Sequence, residues 1–258
     1  HRRHIHRAQH QLDGGLTVSG RPLVNLSLAI NYALGGDTAW GYHLFNLLVH
    51  GLAGLALFGI ARRTWLQPRL AARLGTAAFT LGLLVAVIWL LHPLQTESVT
   101  YVVQRAESLM GLCYLMTLYG FIRSTESDKP GRWLVLSFLT CLSGMAAKEV
   151  MVSAPLLVFL YDRTFVAGSF TEAWRRRWRY YLGLAGTWLL LAWLVAGTTG
   201  RGGTAGFGTV VGPWSYLLTQ CQAIMHYLWL VIWPHPLVFD YGTATVGHWG
   251  EVWPQALL

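Results

Sequence analysis

Long apolar runs separated by short basic stretches set the pattern of the chain. A bilayer core of about 30 Å needs about 20 apolar residues in a helix. Trp40 to Ala61, Leu74 to Leu91, Ala106 to Ile122 and Tyr180 to Gly197 are runs of that kind. Trp133 to Ala147 and Val150 to Tyr161 are shorter and flank Lys148-Glu149, which predicts two spans joined by a tight charged turn. Trp214 to Trp233 is a further apolar stretch, but its Gln220, Gln222 and His226 leave open whether it crosses or is re-entrant. Pro22 to Leu34 is too short to span. Its Asn25, Ser27 and Asn31 alternate with leucines, which predicts a helix lying in the interface. The pattern therefore predicts an all-α, polytopic helical membrane protein with six to seven membrane helices.

Composition agrees with the pattern. Of 258 residues, 54% are hydrophobic and 12% are charged, against about 25% charged in a soluble domain. This excludes a disordered chain, a collagen-like chain and a disulfide-stapled secreted module, and leaves too few polar residues to cover a water-soluble globule. The net charge of +8 does not imply nucleic-acid binding, because no charged residue lies between Gly202 and Phe239 and the cations gather at span ends. They orient the chain instead. The segments 62–73, 123–132 and 162–179 hold 12 of the 19 cations, whereas 92–107, 148–149 and 198–213 hold only Arg105, Lys148 and Arg201. The basic segments are therefore expected to be cytoplasmic. Cys113, Cys141 and Cys221 lie far apart inside predicted spans and form no metal pair or redox motif. His1 to Gln11, with four histidines and three arginines, reads as part of a solvated, poorly ordered leader (1–20) rather than as a metal site at His4 and His6. The chain starts without Met and reads as a piece of a longer protein, with the membrane domain over 21–258.

The cation-poor loops hold the candidate chemistry. Ionisable groups at membrane depth are costly and by default mark a site. One loop reads His92-Pro93-Leu94-Gln95-Thr96-Glu97 and then Gln104-Arg105-Ala106-Glu107, while Lys148-Glu149 and Arg21 are expected on the same face. The prediction is one external pocket with Arg21, Arg105 and Lys148 as cations and Glu97, Glu107 and Glu149 as anions. A purely structural role is the alternative: Glu97, Arg105 and Glu107 as a salt-bridge network closing the loop, Glu149 paired with a nearby cation, and Lys148 snorkelling to headgroups. His43 and His50, with Asn46 between them, read as interhelical hydrogen-bonding groups rather than ligands. Cations at headgroup level suit a lipid-linked phosphate, and a carboxylate beside them suits a general base acting on an acceptor hydroxyl. Sugar transfer from a polyprenyl phosphate would fit, as would a transporter for an anionic solute.

An ordered set of motifs resembles the membrane domain of TPR-containing protein O-mannosyltransferases of the TMTC type. It comprises Arg21-Pro22-Leu23-Val24-Asn25-Leu26-Ser27, Asn31-Tyr32-Ala33-Leu34, Trp40-Gly41-Tyr42-His43-Leu44-Phe45-Asn46, and His92-Pro93-Leu94-Gln95-Thr96-Glu97. Gln104-Arg105-Ala106-Glu107, Lys148-Glu149, Leu160-Tyr161-Asp162 and Trp233-Pro234-His235-Pro236-Leu237 with Asp240-Tyr241 continue it. The resemblance implies a GT-C-like glycosyltransferase fold, a polyprenyl-phosphate-linked sugar as donor and a protein Ser or Thr hydroxyl as acceptor. It also implies an active site on the periplasmic or lumenal face of a bacterial inner membrane or an ER membrane. It places the catalytic acid upstream of His1 and TPR repeats after the membrane domain, and Asp13 in Leu12-Asp13-Gly14-Gly15 does not match that acid. On this reading Arg105 and Lys148 hold phosphate, Glu97 and Glu107 orient cations or sugar hydroxyls, and His92 makes a polar contact. Arg21, Glu149 and Asp240 complete the substrate-binding set, with Asp240 facing outward. A non-catalytic membrane anchor presenting a TPR scaffold is the other alternative.

Overall fold

Proline and glycine punctuate the helices as the sequence pattern demands. In the computed structural model, which describes residues 20–197, 212–238 and 246–253, Pro22, Pro68, Pro130 and Pro213 each sit in the first turn of a helix. There the missing N–H costs nothing and the fixed φ is already helical. The elements of the first unit are α1 (Pro22–Gly35), α2 (Ala39–Trp65), α3 (Pro68–Leu74), α4 (Ala78–Leu91), α5 (Thr96–Thr100), α6 (Arg105–Glu126), α7 (Pro130–Met145), α8 (Ala154–Tyr161) and α9 (Phe170–Ala196). A 3-10 turn (Glu149–Ser153) leads into α8, and a π-helical turn (Asp162–Ala167) follows it. The Ser169 side chain caps α9 by accepting the Glu172 N–H at 3.2 Å, as a Ser-x-x-Glu sequence predicts.

By chain contacts the protein divides into two compact units, His1–Thr198 and Thr199–Leu258. The described elements of both are helical throughout. In the second unit α10 (Pro213–Ile232) buries Leu218 against Val246 and Val252. Its Thr219 Oγ1 accepts the Val246 N–H at 3.0 Å. The leader (residues 1–19) and Asp240 lie outside the described residues.

Among the described residues four stretches are long and apolar enough to cross a membrane: Ala39–Trp65, Pro68–Leu91, Glu149–Ala167 and Phe170–Ala196. The remaining predicted spans are more polar or shorter. Helix α6 carries Arg105, Glu107, Arg123 and Glu126 within its 22 residues, and α7 has 16 residues, about 24 Å of helix at about 1.5 Å per residue. Leu83, Leu84, Ile88 and Leu91 of α4 are exposed, while Ala78, Gly82 and Ala86 face inward. Large apolar groups outward and small groups inward is the arrangement of a helix packed in lipid, where close van der Waals approach replaces the hydrophobic effect.

Helix α2 packs between α4 and α6, α6 packs on α7, and α9 packs on α7 and α8. Two glycines let one helix approach the backbone of the next. A β-carbon on Gly82 would lie 3.0 Å from the Arg62 amide of α2, and one on Gly120 would lie 3.0 Å from the Trp133 carbonyl of α7. Hydroxyls bond across the same seams: Ser137 Oγ donates to the Thr117 carbonyl at 2.6 Å and sits 2.7 Å from the Tyr180 hydroxyl. The core beneath holds Phe121, Ile122, Cys141, Met145, Met151, Val158 and Leu184.

The packing gathers the loops by charge. The basic segments 62–73, 123–132 and 162–179 meet at one end of the first unit, where Arg63 pairs with Glu126 and Arg69 donates to the Thr164 carbonyl at 2.7 Å. Arg177 Nη1 donates to both oxygens of buried Asp162, at 2.9 and 2.8 Å, and the Tyr181 hydroxyl donates to the same carboxylate. Helix α9 leaves helical geometry at Arg177 (φ −134°, ψ 25°), so this buried pair locks the kink. The cation-poor segments 92–107 and 148–149 meet at the other end.

Replacing Gly120 with leucine pushes a side chain into the backbone of α7. Thermal unfolding in detergent is expected to show a loss of about 1–3 kcal/mol, the cost of overpacking a tight seam. Gly111, with open space around it, should accept alanine without loss.

Candidate functional site

The cation-poor end is built in two layers, and the deeper one centres on Arg105. This side chain is completely buried. Its Nε donates to Asn46 Oδ1 at 2.8 Å, Nη1 to the Ser27 carbonyl at 3.1 Å and Nη2 to the Tyr42 carbonyl at 3.1 Å. The guanidinium lies 4.4 Å from the Phe45 ring centroid and 5.5 Å from that of Tyr42. Arg105 at the start of α6 thus ties α1 and α2 together. Burying a cation is costly unless acceptors surround it, and here carbonyl dipoles and aromatic faces take the place of a carboxylate.

Asn46 uses both ends of its amide, since Nδ2 donates to the Val99 carbonyl at 3.3 Å. Ser108 Oγ donates to the Ser98 carbonyl at 2.6 Å. The loop carrying His92 and Glu97 is therefore pinned to both α2 and α6. Within it, His92 Nδ1 accepts the Leu94 N–H at 3.2 Å and Glu97 accepts from Gln104 Nε2 at 3.1 Å. Glu97 is exposed. His50 Nε2 lies 3.0 Å from the Leu90 carbonyl and its ring stacks on Trp89, the interhelical role expected of it, whereas His43 is exposed.

The upper layer is an ion cluster. Lys148 pairs with Glu107, and Arg21 lies 3.6 Å from Glu149. The sharp turn between α7 and the 3-10 segment presents Lys148 and Glu149 side by side. The Leu23 N–H donates to the Ala146 carbonyl at 3.2 Å, which holds the start of α1, and so Arg21, against that turn. All four side chains are half-buried. Burial, and the Arg21 cation beside it, hold the Lys148 ammonium below the usual lysine range, with Glu149 opposing them. Two cations and two carboxylates are thus poised where desolvation strengthens every charge contact.

Of the residues singled out in the sequence, Arg21, Glu107, Lys148 and Glu149 come together. Glu97 and His92 bond within their own loop, and Arg105 lies beneath in contact with neutral acceptors rather than with Glu97 or Glu107. Among the described residues no group of three or more His, Cys, Asp or Glu could hold a metal ion. The sequence reading missed the Arg105 cage of Asn46, Tyr42 and Phe45; a lone Asn inside an apolar span was its available signal. It also missed the Asp162–Arg177–Tyr181 cluster at the basic end, where no spacing rule links Asp162 to Arg177 across a kink.

Fold and site define a polytopic helical membrane protein with a desolvated ion cluster at its cation-poor end. The chain is 30% identical to protein O-mannosyl-transferase Tmtc2 of Drosophila melanogaster over 255 residues, covering 94% of this chain and 26% of that protein. It is 29% identical to Tmtc1 of the same organism over 94% of the chain and 29% of that protein. Human TMTC4 is 31% identical over 59% of the chain and 22% of that protein. The chain is a homologue of the TMTC-type protein O-mannosyl-transferases and spans just over a quarter of the length of the two fly relatives. No family profile matches it, and no solved structure does.

Truncating Arg105 strips the Asn46 amide oxygen of its donor and removes the second partner of the Ser27 and Tyr42 carbonyls, which keep their helical N–H groups. We expect Arg105→Ala to lower stability by about 1–3 kcal/mol, the cost of one orphaned buried group, measured by denaturant unfolding in micelles. Lysine cannot reproduce the fork, so Arg105→Lys is expected to recover less than half of that loss.

Proposed function

We propose that this chain is the donor-binding part of a membrane glycosyltransferase that moves a sugar, mannose by its relatives' name, from a polyprenyl-phosphate donor to a protein hydroxyl. The reaction takes place at the cation-poor face, which is the periplasmic or lumenal side if the basic segments are cytoplasmic. The observation that carries this reading is the Arg21, Glu107, Lys148, Glu149 cluster on a chain homologous to protein O-mannosyl-transferases.

The chemistry follows from the balance of charge. In the resting cluster Glu107 occupies Lys148 and Glu149 faces Arg21. A donor phosphate is a stronger multidentate acceptor than either carboxylate, so it takes over Lys148 and Arg21 as the lipid tail lies along the bundle. Glu107, released from Lys148, then accepts a sugar hydroxyl and orients the ring. Developing charge on the leaving phosphate stays between the two cations, which is where electrostatic stabilisation of the transition state is needed. Arg105 acts at one remove, because it fixes the helices that carry the cluster. Glu97 and His92 shape the loop above. Asp240 remains a proposed outward-facing substrate contact on the strength of the resemblance.

In the full-length protein, Lys148→Gln and Arg21→Gln are each expected to weaken donor use by about 10- to 100-fold, the range for one charge-assisted hydrogen bond, while unfolding temperature stays within a few degrees. A radiolabelled mannose-transfer assay measures this, and transfer unchanged in both variants would sink the assignment. Titration adds a second readout. Because burial lowers the Lys148 pKa, the protonated form, and with it donor affinity, declines as pH rises while ordinary lysines are still charged. Lys148→Arg should keep its affinity to a higher pH than the parent.

A further inference from the structure

The basic end carries a second feature that sugar transfer does not use. Phe170, Trp174 and Trp178 recur at every fourth position of α9 and are each about half exposed, at 49%, 47% and 44%. Phe159 of α8 forms the floor beneath them, with its ring centroid 5.2 Å from Phe170 and 6.5 Å from Trp174. Together with Thr171 and Arg175 they line one open groove. The neighbouring row of the helix is Thr171, Arg175 and Arg179, so a basic stripe runs beside the aromatic one.

The arginines are held ready rather than consumed. Arg179 lies over the Trp178 ring at 5.3 Å and Arg163 over Phe170 at 5.5 Å. Glu172 bonds both Arg175 and Arg176, yet those side chains remain 75% and 57% exposed. Asp162, the other acid nearby, is buried and bonded to Arg177 and Tyr181. Within the described segment 159–179, Arg163, Arg175, Arg176 and Arg179 thus stand against Glu172 as the carboxylate outside the buried pair. An aromatic floor with an excess of cations along its rim complements a molecule with an apolar body and an anionic head.

We propose that this groove holds an anionic phospholipid, with glycerol and upper acyl chain against Phe159, Phe170, Trp174 and Trp178 and the phosphate on Arg175 and Arg179. The bundle's orientation decides only which leaflet supplies the lipid. The site is independent of the donor cluster, which lies at the opposite end of the same unit.

The test uses the whole chain in nanodiscs containing increasing fractions of phosphatidylglycerol or phosphatidylcholine brominated near the headgroup, with tryptophan quenching as readout. The part of the quenching lost in Trp174→Phe/Trp178→Phe reports the groove. Near a membrane each arginine contributes about fivefold to anionic preference, so half-saturation by phosphatidylglycerol is expected at a mole fraction about 30-fold lower than by phosphatidylcholine. Arg175→Gln/Arg179→Gln should bring the two lipids together. Equal half-saturation in the parent protein overturns the proposal without any variant, and so does a preference that survives loss of both arginines in a protein with parental helical content. Competition by soluble poly-glutamate, with no discrimination between the lipids, would assign the groove to an acidic protein instead.

Discussion

The cation-poor end depends on one buried cation that has no carboxylate. Arg105 closes three helix segments around itself through Asn46, Ser27 and Tyr42, with Phe45 beneath its plane. In a bundle whose outer faces are apolar, burial alone cannot choose how helices rotate against one another, because lipid receives a leucine as readily as a neighbour does. Directional contacts have to choose. A guanidinium with donors fixed in a plane specifies the rotation of α1, α2 and α6 at once, and a wrong register would leave it and the Asn46 amide oxygen unsatisfied. The pinning of the 92–104 loop by Asn46 and Ser108 follows from that choice.

The two ends of the first unit use the same device for different purposes. At the basic end buried Asp162 holds Arg177 through both carboxylate oxygens, which fixes a kink and leaves the other arginines exposed. At the cation-poor end the buried charge stays below, and the ion pairs above it are half-exposed and exchangeable. Buried pairs are kept for specificity rather than net stability, whereas half-buried pairs can trade partners with an incoming anion. This division makes the Arg21 and Lys148 cluster suited to ligand exchange and Arg105 suited to architecture.

Much of this organisation was legible in the sequence. Period and length of the apolar runs located α2, α4, α6, α7, α8 and α9, and the distribution of arginines separated the basic segments 62–73, 123–132 and 162–179 from 92–107 and 148–149. The clustering of Arg21 with Lys148 and Glu149 was also visible, since the loops holding them fall on one face by alternation. What could not be read was depth. Arg105 and Lys148 are both cations at the edge of an apolar run, and only packing tells that Asn46 and two carbonyls await the first while Glu107 awaits the second. The same limit hid Asp162, because its partner lies 15 residues on, beyond a π-helical turn and within a kinked helix. Homology to protein O-mannosyl-transferases adds a chemical context that the geometry alone leaves open between sugar transfer and anion transport.

The most direct measurement is the affinity of the chain in nanodiscs for a photoactivatable polyprenyl-phosphate mannose analogue, compared between the parent protein and Lys148→Gln at matched helical content. Crosslinking is expected to map to the Arg21 and Lys148 end and to fall about tenfold or more in the variant, the loss of one charge-assisted contact. Equal crosslinking in the variant, or labelling confined to the basic end, would contradict it.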